Sequence, residues 1–545
     1  MEISRRYPGA EYVSEVASVL SDESIQAVVI CTPIVTHYDV ARECLLAGKH
    51  VLCEKPLTLS VSEAESLQEI ATRQGLVLMA GHVFEYNNIV LYLQSNILED
   101  SFGGLVYIQM QRMGLGPVRT DINVAYDLAT HDISIALMLL GEMPLSVSAQ
   151  GSSLASHTVE DTAFIVLEFP GEVLVQINVS WVDTVKQREI KVVGTKQVLL
   201  FNDISQHEKL KIFNTGKSLT SADRDFGSWQ LPVGDSEVMI PDIAYPEPLG
   251  EEFDHFIDCV LHSRTPRTDA QNAIRVIRVL EAIDKSLKLG GEKVSYLQQV
   301  YDDTASQAHV DKQFFTSIWS ENADYRHLVD SKIKEVFTPA IRHHVRDIQP
   351  VFANFMVKNT GDDTSLVPHQ DWSFVEEPLF DSATIWCPLV DVDRRNGNLQ
   401  VIPRSHLIDH YIRARFMNKP FDAIDPEQMS AMLIDIPMKA GEAIMLNSRL
   451  IHASPCNLSG VCRVATSLVI APAQASLFHW AVDPREKTEI KKLAVTEDFF
   501  WQFSCYEYPD SMTPIETSRI ELKELSLEEF HRVIEHRPSL LPEGV

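Results

Sequence analysis

VPHQDWSF (Val367–Phe374) places His369 two residues before Asp371. LNSRLIHASP (Leu446–Pro455) adds His452, and Arg463 follows eleven residues later. Two histidines and one carboxylate hold one face of a non-haem Fe(II) and leave the other face open for co-substrate and oxygen. An arginine offers a planar fork to a carboxylate. Together these residues predict an iron centre that takes 2-oxoglutarate and O2. On a strand, positions i and i+2 point to the same side, so His369 and Asp371 should reach one metal. His452 should come from a strand folded back across a barrel, with Arg463 beside it on the next strand.

HxD alone is a weak signal, because it also occurs at His37-Tyr38-Asp39 and His309-Val310-Asp311. Only the copy at His369 is followed by strand-like text and by a distal histidine and arginine. From Val351 onward short strands alternate with turn signals: VFANFMVKNTG, SATIWCPLVDV, GNLQVIPRSH, GEAIMLNSRLIHASP and RVATSLVIAP. That pattern predicts a sandwich or barrel. His343 and His344 fall in a charged helical stretch, and His406 follows a proline-arginine turn, so none of them is read as a ligand.

Working outward, 545 residues exceed one hydrophobic core, and several domains are expected. A net charge of -29 argues against a nucleic-acid partner, which needs a basic face. The eight cysteines form no CxxC pair, no signal peptide is evident, and no apolar run approaches the roughly 18 residues that span a bilayer. A cytoplasmic protein with no membrane partner is the expectation.

The first half reads differently. IQAVVICTP, HVLCEKP and LVLMAGHVFEYN read as strands. Between them lie helices HYDVARECLLAGK and SVSEAESLQEIATRQG, the second with a capping box at Ser60 or Ser62. Short strands alternating with helices predict a parallel sheet with ligands at the carboxyl ends of its strands. Lys55, beside Glu54, is a candidate proton-shuttling lysine. Asp127 and His131 are spaced i, i+4 and should share a helix face; read alone, they could equally start a helix.

Thr32, Pro33 and His37 (TPxxxH), AGKHVLCEKP (Ala47–Pro56), GHxFxxN (Gly81–Asn87) and YDLATHDISIALMLLG (Tyr126–Gly141) resemble the Gfo/Idh/MocA family of NAD(P)-dependent sugar and inositol dehydrogenases. The likeness runs to about Tyr296, and in flavour it is nearest to members acting on nucleotide sugars. It implies that Lys55, Asp127 and His131 deprotonate a sugar hydroxyl during hydride transfer. It also implies that Thr32, Pro33, His37, Glu54 and Lys55 border NAD(P), and that an open-sheet domain makes homo-oligomers. Members of the family open with a strand, a glycine-rich turn and a helix that hold the pyrophosphate. Here MEISRRYPGAEYVSEVASVL resembles the third βα unit, and no GxGxxG occurs. A late start, a truncated gene or lost NAD binding would each account for this, and NAD(P) binding is the doubtful expectation.

KNTG (Lys358–Gly361), PHQD, W-x-PL-x-D (Trp386–Asp391), NGNLQVIPRSH (Asn396–His406) and HASP with Arg463 resemble the phytanoyl-CoA dioxygenase (PhyH) family of Fe(II)/2-oxoglutarate oxygenases. The likeness implies that Arg463, Ser454 and, more loosely, Trp386 hold 2-oxoglutarate. Related halogenases replace the carboxylate ligand with a small residue, so Asp371 favours hydroxylation.

The fold expected is multidomain. It comprises an incomplete Rossmann-like α/β domain (1–90), an α+β domain with an open antiparallel sheet (91–299), a helical connector (300–350) and a double-stranded β-helix, or jelly-roll, oxygenase domain (351–545). The function expected is oxidation of a small metabolite fused to a dehydrogenase-like region. Two alternatives remain for the first half: a working NAD(P)-dependent dehydrogenase, or a non-catalytic binding and oligomerisation module.

Overall fold

A computed structural model describes every residue except 1–8, 10, 215–237, 309–313, 343, 409, 416, 483–488, 497, 504–507, 521 and 536–545. The HxD copy at His309 and the histidine at 343 therefore lie outside the described residues. Two compact units divide the chain, Met1–Tyr296 and Leu297–Val545.

In the first unit the strands Ala27–Ile30, His50–Glu54 and Leu78–Gly81 pair in parallel. Their apolar, β-branched text suits a sheet covered on both faces. Between them lie the helices His37–Leu46 and Val61–Gln74. Ser60 caps the second by accepting from the Glu63 amide at 3.3 Å, and Gly75 closes it in the left-handed region. Its buried face, Ala64, Leu67 and Ala71, packs with Ala273, Ile274 and Ile277 of the helix Ala270–Lys288. The third strand stops at Gly81, where a Cβ would approach the Glu54 backbone to 3.2 Å, and a 3-10 turn over Val83–Tyr86 replaces its expected continuation.

The remainder of this unit is a nine-stranded sheet. It is mixed rather than wholly antiparallel. Leu105–Leu115 pairs in parallel with Val173–Ser180 on one side and antiparallel with Val182–Gly194 on the other. The ladder hydrogen bonds are satisfied either way, and strand alternation does not reveal direction.

The second unit holds a five-stranded and a four-stranded antiparallel sheet, as a jelly-roll requires, and a further three-stranded sheet. The backbone of the first is the long pairing of Ile348–Lys358 with Arg463–Pro472. Period-two alternation sends Phe352, Asn354, Met356 and Lys358 toward a cavity between the two larger sheets. Phe355 points the other way, fully buried against Tyr301. Phe355→Ala should therefore cost about 3–5 kcal/mol in the urea unfolding of this unit. The cavity side chains should stay in place, so metal binding below the transition should persist.

Candidate functional site

The cavity of about 90 Å³ is lined by Asp371, His452, Lys358, Arg463, Trp386 and Ser454, among others. His369 ends the strand Leu366–His369 and pairs directly with His452 of the antiparallel strand His452–Ser454. The two ring centroids are 4.2 Å apart. Ligand atoms of His369, Asp371 and His452 all lie within 4.8 Å of one another, the one such cluster among the described residues.

Each imidazole is oriented by its own chain. His369 Nδ1 lies 2.9 Å from the Val367 carbonyl, and His452 Nδ1 lies 3.0 Å from the Leu450 carbonyl. Those contacts make Nδ1 the protonated nitrogen and leave Nε2 as the lone-pair donor on both rings. Burial, helped by the neighbouring His452 ring, pushes His369 down to about 3. The ring is therefore neutral, as a metal ligand must be.

Asp371 is not placed by strand alternation, because the strand stops two residues before it. Instead its amide donates to the Ser448 carbonyl at 2.9 Å, and Thr384 donates to one carboxylate oxygen at 2.5 Å. The other oxygen lies 3.7 Å from His452 Nε2.

Arg463 also departs from expectation. It lies in the five-stranded sheet, opposite Lys358, and reaches the cavity from there rather than from beside His452. Both cations are buried. Lys358 donates to the Ser454 carbonyl at 3.0 Å and the Pro455 carbonyl at 2.6 Å, and Arg463 to the Met356 carbonyl at 3.2 Å. Among the described residues no carboxylate pairs with either, and Arg463 Nε has no partner at all. Burial holds Arg463 down to about 10, and burial with the nearby guanidinium pushes Lys358 down to about 7. Trp386 stacks near the guanidinium, 5.7 Å from ring centroid to Cζ. The Ser454 hydroxyl donates to the Gly397 carbonyl at 2.9 Å.

Lys358 stood in the KNTG motif but had no role assigned. Nothing in one sequence separates a buried lysine from a solvated one. Thr384 was equally silent.

In the first unit Lys55 Nζ donates to the Asp127 carbonyl at 2.5 Å and lies 3.6 Å from its carboxylate. Trp181 Nε1 donates to that carboxylate at 2.9 Å, and Arg119 lies 3.8 Å away. Asp127 sits in a π-helical turn, Ala125–Ala129, that runs into the helix Thr130–Leu140 carrying His131. Such turns are rare and recur at functional sites. His131 Nδ1 is buried without a partner beside Phe84. Burial, then Lys55, holds this ring far below the usual histidine range, and burial also lowers Lys55. The structure thus brings Lys55, Asp127 and His131 together. Sequence reading missed Trp181 and Arg119.

Glu54 ends its strand beside Lys55. Thr32 accepts from the Thr36 hydroxyl at 2.8 Å, and Pro33 caps the turn Ile34–Thr36. His37 spends both ring nitrogens on main-chain carbonyls, Pro56 at 2.9 Å and Thr32 at 2.8 Å. It is a clasp between two loops.

These two constellations fall in regions that match models of oxidoreductase families. Residues 2–82 match the model of an oxidoreductase family with an NAD-binding Rossmann fold, and 117–200 the GFO/IDH/MocA C-terminal domain. Residues 273–465 match phytanoyl-CoA dioxygenase (PhyH). The chain is a fusion of Gfo/Idh/MocA-family oxidoreductase regions with a phytanoyl-CoA dioxygenase-family region.

A UDP-N-acetylglucosamine 3-dehydrogenase of Acidithiobacillus ferrooxidans is 38% identical over 145 residues, covering 26% of this chain and 45% of that protein. The scyllo-inositol 2-dehydrogenase (NADP(+)) IolW of Bacillus subtilis is 32% identical over 157 residues, covering 27% and 44%. The chain thus spans about half the length of these curated relatives. The solved structure of UDP-N-acetylglucosamine 3-dehydrogenase GnnA from A. ferrooxidans is 23% identical, with a TM-score of 0.45, over 53% of this chain and 86% of its own. No helix among the described residues is long and apolar enough to cross a membrane.

The buried lysine gives a test by pH. Its folded pKa, about 7, lies below the unfolded lysine value, so above pH 7 the folded state binds fewer protons than the unfolded one. Stability of the ligand-free protein should therefore rise with pH from about 7 toward the unfolded lysine value of about 10.4. Lys358→Met should remove that rise and leave the protein more stable than wild type below pH 7. Urea unfolding of both proteins across this range checks it.

Proposed function

We propose that the second unit is an Fe(II)/2-oxoglutarate-dependent oxygenase that hydroxylates a small, sugar-related metabolite using O2. The observation that carries this reading is the adjacency of the His369, Asp371 and His452 ligand atoms to two buried cations in one cavity. The donor set fits the metal, with two Nε2 lone pairs and one carboxylate on one face. The charges fit the co-substrate. A 2-oxo dicarboxylate brings two negative charges to Lys358 and Arg463, and its carboxylate can take the orphaned Arg463 Nε–H. Bound iron would supply oxygen activation coupled to decarboxylation of the 2-oxo acid.

The protein's own residues do the rest. Arg463 and Lys358 hold the co-substrate carboxylate, Trp386 packs the guanidinium, and Thr384 fixes which Asp371 oxygen faces the metal. The Ser454 hydroxyl keeps free lone pairs but has already committed its hydrogen to Gly397, so its part is to shape the pocket unless that bond is exchanged.

His369→Ala and Asp371→Ala should each abolish stoichiometric iron binding and 2-oxoglutarate-dependent oxygen uptake. Arg463→Met should weaken 2-oxoglutarate binding roughly 10- to 100-fold, the loss of a charge-assisted hydrogen bond. Calorimetry with the iron-loaded protein checks both. Wild-type protein that binds neither iron nor 2-oxoglutarate would end this reading.

For the first unit the convergence of Lys55, Asp127 and His131 favours a second reading, an NAD(P)-dependent dehydrogenase of sugars or nucleotide sugars. Lys55 Nζ would take or return the hydroxyl proton, with Asp127 and the neutral His131 orienting the substrate. Titration with NADH should saturate, and Lys55→Met should suppress turnover while leaving that titration unchanged. Absence of saturation would favour a non-catalytic module. The open sheet face shows Tyr107 and Leu174, exposed cross-strand neighbours, and the exposed Phe164 on the adjoining strand. A second copy of the chain is the occupant proposed for it.

A further inference from the structure

We propose that Arg413, held by Glu377, is a positioning residue that sets Asp371 for the metal by gripping its main chain. This rests on the metal-site reading above and adds a residue outside the motifs that carry it.

Asp371 lies past the end of its strand, so ladder hydrogen bonds do not fix it. Arg413 Nε donates to the Asp371 carbonyl at 2.6 Å. The terminal nitrogens face Glu377: one donates to a carboxylate oxygen at 2.7 Å and to the Tyr411 carbonyl at 3.4 Å, and the other pairs with the second oxygen. Both side chains are buried, at 4% and 6% exposure. Two rungs complete the clamp: the Arg413 amide donates to the Ser373 hydroxyl at 3.1 Å, and the Ser373 amide donates to the Arg413 carbonyl at 3.0 Å. The loop from Asp371 to Glu377 is thus held at its start, its middle and its end by one residue.

The choice of arginine follows from geometry. A lysine at 413 would have to reach the Asp371 carbonyl and Glu377 from a single nitrogen. The planar fork grips both Glu377 oxygens while a separate Nε–H serves the carbonyl. The pairing with Glu377 also matters to the metal. A lone guanidinium this close to Asp371 would oppose a divalent cation, whereas the Arg413–Glu377 pair is neutral as a unit and fixes position without adding charge. A loop anchored further at Glu376, whose carboxylate accepts from Lys492 at 2.7 Å, has little freedom left to reshape if the clamp is loosened.

The experiment uses the full chain and titrates Mn(II), reading the free-ion EPR signal, in wild type, Arg413→Lys and the double variant Arg413→Met/Glu377→Gln. The double variant removes both buried charges together, so neither is left unpaired. Both variants should bind Mn(II) about 10- to 100-fold more weakly, the usual cost of losing a group that orients a ligand. Their thermal transitions in chelator should match wild type. At saturating Mn(II) their 2-oxoglutarate affinity should also match, because Lys358 and Arg463 reach the cavity from the other sheet. Unchanged Mn(II) affinity in Arg413→Lys, or recovery of wild-type affinity in the double variant, would overturn the proposal. So would a lowered thermal transition in chelator, which assigns Arg413 to the fold. Failure of the wild type itself to bind Mn(II) would instead strike the metal-site reading.

Discussion

Two cations face each other across one rung of antiparallel sheet, Lys358 opposite Arg463, both buried and neither opposed by a carboxylate among the described residues. Water is a far better solvent for such charges than a protein interior, so this arrangement costs free energy in the ligand-free fold. The backbone offsets part of it. Carbonyls of Ser454, Pro455 and Met356 accept from the two side chains, and the Asn457 side chain ties down the Lys358 carbonyl at 2.9 Å. The Ser454 and Pro455 carbonyls belong to the strand that carries His452 and to its outgoing turn, and the Met356 carbonyl to the strand of Lys358 itself. The proposed anion site and the proposed metal site are therefore one unit of structure.

The two cations differ in how they meet the cost. Lysine can shed its proton when buried, and Lys358 sits near the point of doing so. Arginine holds its charge throughout the neutral range. A dianion entering the cavity changes both terms together, since it restores the lysine proton and supplies the partner Arg463 Nε lacks. Glycine at 397 belongs to the same logic. A Cβ there would lie 2.9 Å from both Lys358 Cδ and the Pro455 carbonyl, and its φ of +84° is one that side chains resist. The NGN turn is thus shaped around the lysine.

Chemistry-bearing residues were the legible part of the sequence. His369, Asp371, His452 and Arg463 announce themselves because few structural demands put two histidines, an aspartate and an arginine in that order within strand-like text. The parallel βα rhythm of the first unit was legible for the same kind of reason, since apolar runs of strand length alternate with capped helices. What the sequence hid is long-range and geometric. Strand direction leaves no mark on alternation, so the parallel pairing of Leu105–Leu115 with Val173–Ser180 could not be read. The end of a strand is equally unmarked, and with it the fact that Asp371 needs Thr384, Ser448 and Arg413 to hold it. His37 carries a role its motif did not mark, since both ring nitrogens lie against main-chain carbonyls of two loops.

The net charge of -29 bears on both sites less than its size suggests. At physiological ionic strength the Debye length is about 8 Å, so surface carboxylates further off are largely screened from an anion in a pocket. Buried charges are screened far less, and the cavity is lined by the buried Lys358 and Arg463 together with Asp371, while the Arg413 guanidinium is cancelled by Glu377. The outer contacts of the metal cluster follow the same pattern. His369 and His452 are each oriented by a main-chain carbonyl, where a carboxylate would have drawn the two cations into ion pairs of its own. Neutral tethers on the imidazoles and a neutralised clamp on the aspartate leave Lys358 and Arg463 without a carboxylate partner among the described residues, as the proposed dianionic co-substrate would require.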